Sequence, residues 1–136
     1  MNTFVLHLQS ATQYERIENV VSFVGEDDSG SFGILAGHAH MMTSLVFGLA
    51  RFRTPGADWE FLALPGALLY FVGNQLHINT RRYLRDADYQ RIGVQLQEQL
   101  LKEEEILHDV KKSLRRLEEE MFKRLWRVQR GGETVL

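Results

Sequence analysis

The chain contains no cysteine, only two prolines and no apolar run long enough to cross a bilayer. Without thiols there can be no disulfide and no thiolate zinc site. The longest apolar stretch, residues 61–72, falls short of the roughly 20 residues a membrane-spanning helix needs. Direct membrane insertion is therefore not expected. A formal net charge of -2 leaves no excess of cations for nucleic acid or anionic lipid. The opening residues Met1-Asn2-Thr3-Phe4-Val5-Leu6-His7-Leu8 lack the basic stretch and the longer apolar segment of a secretory signal. These absences predict a soluble, cytoplasmic protein with no nucleic-acid partner.

What is present is unevenly distributed. Residues 1–80 hold three arginines and no lysine against seven acidic residues, a charge of -4. Residues 81–136 hold nine arginines and four lysines against eleven acids, a charge of +2. Eight glycines punctuate the first part, whereas only Gly93 interrupts the second before Gly131. Two structural units joined near residues 80–86 are expected.

The first unit reads as β structure. Short apolar runs recur every 8–12 residues or so, the spacing of sandwiches and barrels. Phe4, Leu6 and Leu8 alternate with Val5 and His7, and Val20-Val21-Ser22-Phe23-Val24 is β-branched and aromatic. Gly25-Glu26-Asp27-Asp28-Ser29-Gly30 supplies a turn. Further strands are expected at 45–53, 59–64, 67–72 and 75–79, linked by Thr54-Pro55-Gly56-Ala57 and Gly73-Asn74.

The second unit reads as helix. Asp86 and Asp88 suit a helix start, and Gly131-Gly132 suits a stop. Leu100, Leu107, Leu114, Met121 and Val128 lie seven residues apart, and Leu96, Val110 and Leu117 belong to an offset series completed by Glu103 and Arg124. Together they form a heptad seam. The seam fits one long helix as well as a hairpin turning within 102–109. The fold class is thus α+β in two parts: an antiparallel β-sandwich over 1–82, a helical domain over 86–132 and a frayed tail over 133–136. The last four residues also have the form of a carboxylate-capture peptide.

The link Ala36-Gly37-His38-Ala39-His40 carries the sharpest signal. Gly37 suits a turn with positive φ that holds His38 at its tip. Two histidines at that spacing offer two metal ligands, yet no acid follows before Arg51. A catalytic metal would need a third ligand. Metal binding is therefore not expected, and a protein-contact turn is the better reading. His7 and His77 fall on expected strands and read as partly buried or surface histidines, and His108 as a solvated helix residue.

Gly33-Ile34, Gly37-His38-Ala39, Leu45 and Gly48 together resemble the signature of the ATP synthase epsilon subunit, the small rotor protein of F-type ATPases. Ala36 and His40 stand where that family's pattern carries prolines. The likeness continues through Leu62-Ala63-Leu64-Pro65-Gly66-Ala67-Leu68-Leu69 and Gly73-Asn74-Gln75-Leu76-His77-Ile78, covering about residues 3–91.

The resemblance implies a non-catalytic subunit that joins the rotating parts and couples ion flow to ATP synthesis or hydrolysis. It would sit peripherally on the cytoplasmic face of the plasma membrane. A turn at Ser31-Phe32 and the loop with Gly37, His38, His40, Met41, Met42 and Thr43 would face the gamma subunit and the polar loops of the c-ring. The helical arm would reach the alpha and beta subunits and restrain hydrolysis. The departures at Ala36 and His40 suggest a divergent, second ATPase, of which a sodium-moving type is one form; that specificity resides in the ring.

No cofactor is expected, with ATP as a regulatory ligand the open exception. Some family members bind ATP through an aspartate and an arginine three residues on, as Asp88 and Arg91 stand here, although Ile92 replaces the alanine that follows. There is no G-x-x-x-x-G-K loop, so the chain should not hydrolyse ATP itself. Two readings outside the family remain: a β domain with a homodimeric coiled coil, and a small metalloprotein using His38 and His40.

Overall fold

A computed structural model describes the backbone of residues 2–135 and the side chains as far as Val128. Ten strands come first: β1 (Phe4–Gln9), β2 (Tyr14–Val20), β3 (Ser22–Asp27), β4 (Gly30–Leu35), β5 (Met41–Leu45), β6 (Gly48–Arg53), β7 (Glu60–Leu64), β8 (Ala67–Val72), β9 (Gln75–Thr80) and β10 (Leu84–Asp86). Helix α1 (Tyr89–Gln95), a π-helical turn (Leu96–Leu100) and helix α2 (Leu101–Val135) follow.

The strands form two five-stranded sheets, ordered β2-β1-β9-β8-β5 and β10-β7-β6-β3-β4. Every pairing is antiparallel except β1 with β9, which run parallel in the first sheet. Alternation decides which side chains meet between the sheets. Phe4, Phe23, Phe52 and Phe71 are fully buried there, and Phe4 meets Phe71 edge to face at 5.6 Å between centroids.

Four strands are absent from the sequence reading: β2, β4, β5 and β10. β2 is an edge strand whose exposed positions are mostly polar, so it carries little apolar signal. It also contains a bulge: pairing shifts between Phe4 and Leu6 while Asn19 takes φ 59°. β10 is three residues long and owes its place to partners distant in sequence. Arg85 donates through Nη1 to Glu15 at 2.6 Å and through Nε to Glu60 at 2.7 Å, while the Tyr83 hydroxyl donates to the other Glu15 oxygen at 2.9 Å. This clasp joins an edge strand of one sheet to an edge strand of the other. The run expected as one strand over 45–53 is divided, because the chain leaves one sheet after Leu45 and enters the other at Gly48.

The compact unit containing the sandwich extends to Leu101. Ile92 and Leu100 are fully buried with Ala63, and Leu96, Leu49, Phe61 and Leu84 pack around them. The first turns of helix therefore cover the outer side of β7. The i→i+5 bond from Leu101 N–H to Leu96 O marks the π turn. Asp88 caps the start, its carboxylate accepting from the N–H groups of Gln90 and Arg91.

The second unit, Lys102–Leu136, is a single helix as far as it is described. No turn breaks residues 102–109, so of the two arms the heptads allow, the long helix is formed. The helix bounds include Gly131-Gly132, the expected stop, because a glycine costs a helix about 1 kcal/mol and does not by itself end one. The tail expected over 133–136 lies outside the residues whose side chains are described. Within this unit Val110, Leu114, Leu117, Met121 and Val128 are all exposed.

The seam is thus two things: Leu96 and Leu100 serve the sandwich, and beyond the half-buried Leu107 the rest form a bare stripe. Leu100→Ala should cost about 2–5 kcal/mol of stability in denaturant unfolding, as cavity-forming truncations do. Leu114→Ala should stay within about 0.5 kcal/mol in the isolated chain, like other exposed substitutions. Equal losses would refute this division.

Candidate functional site

The link between β4 and β5 forms a tight, tethered turn. Gly37 has φ 84°, in the left-handed region that glycine tolerates, and His38 N–H donates to Leu35 O at 3.1 Å. The tether comes from the β8–β9 hairpin, whose Gly73 and Asn74 have φ of 55° and 57°, as a type I′ turn requires. The Asn74 side-chain oxygen accepts from Gly37 N–H at 2.7 Å, and its backbone oxygen accepts from Val5 N–H at 3.0 Å. One asparagine therefore ties the first strand and the glycine-histidine turn to the same hairpin.

His38 lies on this turn with its ring edge-on to Phe71 at 5.9 Å, and its Nδ1–H donates to Ala39 O at 2.7 Å. Gly37, His38 and His40 are exposed, as is Met42 at 70%. Met41 turns inward against the core. Thr43, on β5, donates its hydroxyl to Asp27 at 2.8 Å. The other Asp27 oxygen accepts from the backbone and hydroxyl of Ser29. The bonds from Ser29, then Thr43, hold the Asp27 carboxyl below the usual carboxylate range.

Ser31 and Phe32 do not form a turn: the turn is Asp28-Ser29, and both residues lie on β4. Ser31 is exposed opposite Glu26, while Phe32 packs against the core. Ser31 and Leu35 lie toward opposite ends of β4, about 13 Å apart at 3.3 Å per residue, and Gly37 sits on the turn beyond Leu35. The two expected contact sets therefore lie toward opposite ends of β4 rather than forming one patch. Among the described residues no cluster of three or more His, Cys, Asp or Glu side chains could hold a metal.

Asp88 and Arg91, the candidate nucleotide pair, are engaged locally. Asp88 caps α1, and Arg91 donates to both oxygens of Asp86, through Nη2 at 2.7 Å. Arg91, with help from the Asp88 N–H, lowers the Asp86 carboxyl to about 2.

One constellation escaped the sequence reading. On the outer face of the first sheet, His7 and His77 stack at 4.4 Å between centroids, 7° from parallel, and Tyr70 stacks on His77 at 4.4 Å. Nε2–H of His7 donates to Gln75 Oε1 at 2.6 Å, leaving Nδ1 to accept the Tyr14 hydroxyl at 2.6 Å. Burial, then the neighbouring His7, pushes His77 below the usual imidazole range. Only the parallel β1–β9 pairing sets these two histidines opposite one another.

Comparison with known proteins gives a consistent result. The family model for the ATP synthase delta/epsilon chain β-sandwich domain matches residues 5–86. ATP synthase epsilon chain 2 of Cereibacter sphaeroides is 41% identical over 59 residues, covering 43% of this chain and 40% of that one. The epsilon chain of Microcystis aeruginosa is 40% identical over 50 residues, covering 37% and 36%. The match thus spans about two fifths of the length of these relatives. Among solved structures, a chain of the Euglena gracilis mitochondrial ATP synthase OSCP/F1/c-ring assembly aligns with a TM-score of 0.59 at 18% identity, covering 72% of this chain and 64% of that one. One from the Tetrahymena thermophila mitochondrial ATP synthase central stalk and c-ring gives 0.52 at 11% identity, covering 62% and 69%. At these identities the structural matches speak for the fold.

The Asp86–Arg91 pair supplies a direct check on the geometry at the helix root. Its contribution to stability is present above the ordinary carboxylate value of 3.8 and is lost as pH falls through about 2. Carboxyl NMR should find Asp86 titrating near that value, and Arg91→Gln should move the midpoint upward. An unmoved midpoint would mean the pair does not form in solution.

Proposed function

The chain belongs to the ATP synthase delta/epsilon chain family through its β-sandwich domain, residues 5–86, and on that premise we propose that it is the epsilon subunit of an F-type ATP synthase. It works as a non-catalytic link in the central stalk. The sandwich joins the gamma subunit to the polar loops of the c-ring, and the assembly carries ion flow to the sites of ATP synthesis. The observation that carries this reading is the family match over the whole sandwich, with the Gly37-His38 turn held at its surface by Asn74.

The turn suits docking because its backbone is restrained before any partner arrives. Less ordering entropy is then lost on binding. His38, His40 and Met42 give it exposed polar and apolar groups together. Ser31, toward the far end of β4, belongs to a second contact area, so gamma and the ring need not share one patch. The sandwich binds as a peripheral component; no helix among the described residues is long and apolar enough to cross a membrane.

The arm has its own physical argument. From Ile106 onward its apolar residues, apart from the half-buried Leu107, are exposed as far as Val128, with Phe122 at 71% and Trp126 at 55%. A helix with so bare a stripe gains from burial against other subunits, and the alpha and beta subunits of the same complex are the proposed occupants. Held there, it restrains hydrolysis.

Co-expression with the gamma subunit encoded in the same genome tests the central reading. The two should co-purify, and failure to do so with both folded would sink it. Deleting residues 102–136, which leaves Leu100 on the sandwich, should raise ATP hydrolysis by the assembled complex severalfold. Unchanged hydrolysis would reduce the arm to a structural brace.

A further inference from the structure

The histidine stack lies two short steps from the glycine-histidine turn. The first step is Gln75, whose side chain accepts from His7 Nε2 and which opens β9 directly after Asn74. The second is Asn74 itself, which holds Gly37 N–H through its side chain and Val5 N–H through its backbone. Val5 is in turn two residues from His7 on the same strand and face. The rings, the hairpin turn and the docking turn therefore share one short set of bonds.

The stack is built for neutral rings. His7 is only 9% exposed, and two imidazolium charges at 4.4 Å would repel with little water between them. The other groups facing them do not relieve this. From β2 come Tyr14 and, directly opposite His7, Arg16, which adds a third positive charge. Of the carboxylates on β2, Glu18 is paired with Arg16 at 3.3 Å and Glu15 is taken up by Tyr83 and Arg85. From β8 comes Tyr70, beyond which Met42 of β5 lies in register, and from β9 the amide of Gln75. Among the described residues no carboxylate bonds either ring. Charging the pair must be met by separating the rings, and the groups bonded to them move with them.

We propose that protonation of the His7–His77 stack loosens the seat of the Gly37-His38 turn, so that the docking surface responds to mild acid. This deepens the docking reading above and rests on it for its consequence, although the response of the turn belongs to the isolated chain. At neutral pH the stack is closed, Gln75 is fixed, and Asn74 keeps Gly37 in place. As pH falls below the usual imidazole range, where burial and the facing His7 place His77, the second proton forces the rings apart and the Asn74 bond to Gly37 weakens.

The test is NMR titration of the full chain carrying His38→Gln and His40→Gln, which removes the imidazoles of the turn itself. Between about pH 7.5 and 4, a span that reaches below the usual imidazole range, the His77 ring should titrate low because of burial and the facing His7, and the signals of both rings should change together. The Gly37 amide and the Asn74 carboxamide should follow the same curve, with a severalfold loss of Gly37 protection against hydrogen exchange. Adding His77→Gln should abolish the coupling and keep Gly37 protected; His77→Phe, which retains a stacked ring, serves if that variant fails to fold. The proposal is overturned if Gly37 and Asn74 stay fixed while the rings titrate, or if removing His77 leaves the loss of protection unchanged. Gamma binding by the otherwise unaltered chain is measured separately: its absence at neutral pH would defeat the docking reading while the NMR response would still stand or fall alone.

Discussion

Each strand of the sandwich must give one face to a common core, and most of the remaining architecture follows from that demand. The four buried phenylalanines and their aliphatic neighbours lie between the sheets. Burial of this kind is the largest favourable term in folding. Once one face of every strand is committed, the opposite faces and the turns are left for other uses. The outer side of β7 takes the start of the helix, the outer side of β1 and β9 takes the histidine stack, and the turn after β4 is left in solvent.

The same economy separates the two roles of the heptad repeat. Leu96 and Leu100 meet apolar side chains on the sheet, where their burial holds the root of the helix. Beyond Leu101 the repeat continues in sequence while its environment changes from protein to solvent. A pattern spaced for burial but left exposed leaves an apolar stripe that further burial would stabilise.

Much was legible before the structure. Alternating Phe4, Leu6 and Leu8, the turn at Gly73-Asn74, the positive φ at Gly37 and the glycine-poor helical half all follow from local steric and hydrophobic rules, which act within a few residues. β2 and β10 were not legible, because one is polar and bulged and the other is held by Glu15 and Glu60 from afar, and β4 and β5 were read as the turn and loop around Ser31 and Gly37. The placement of Ser31 and Phe32 in a turn failed for a related reason: one Asp27 oxygen accepts from the backbone and hydroxyl of Ser29, which closes the hairpin three residues earlier.

The sequence by itself determined the order of a β part before a helical part, the periodicity of each and the positive-φ turn at Gly37, since each depends on backbone preference and side-chain spacing. Tertiary structure alone decided what those pieces touch. It set Asn74 against Gly37, His7 against His77 and Leu100 against β7, and it moved Ser31 away from His38. The physical reason is range: propensity and pattern act over one turn or one strand, whereas these contacts depend on strand order, on the parallel pairing of β1 with β9 and on which sheet face the helix covers.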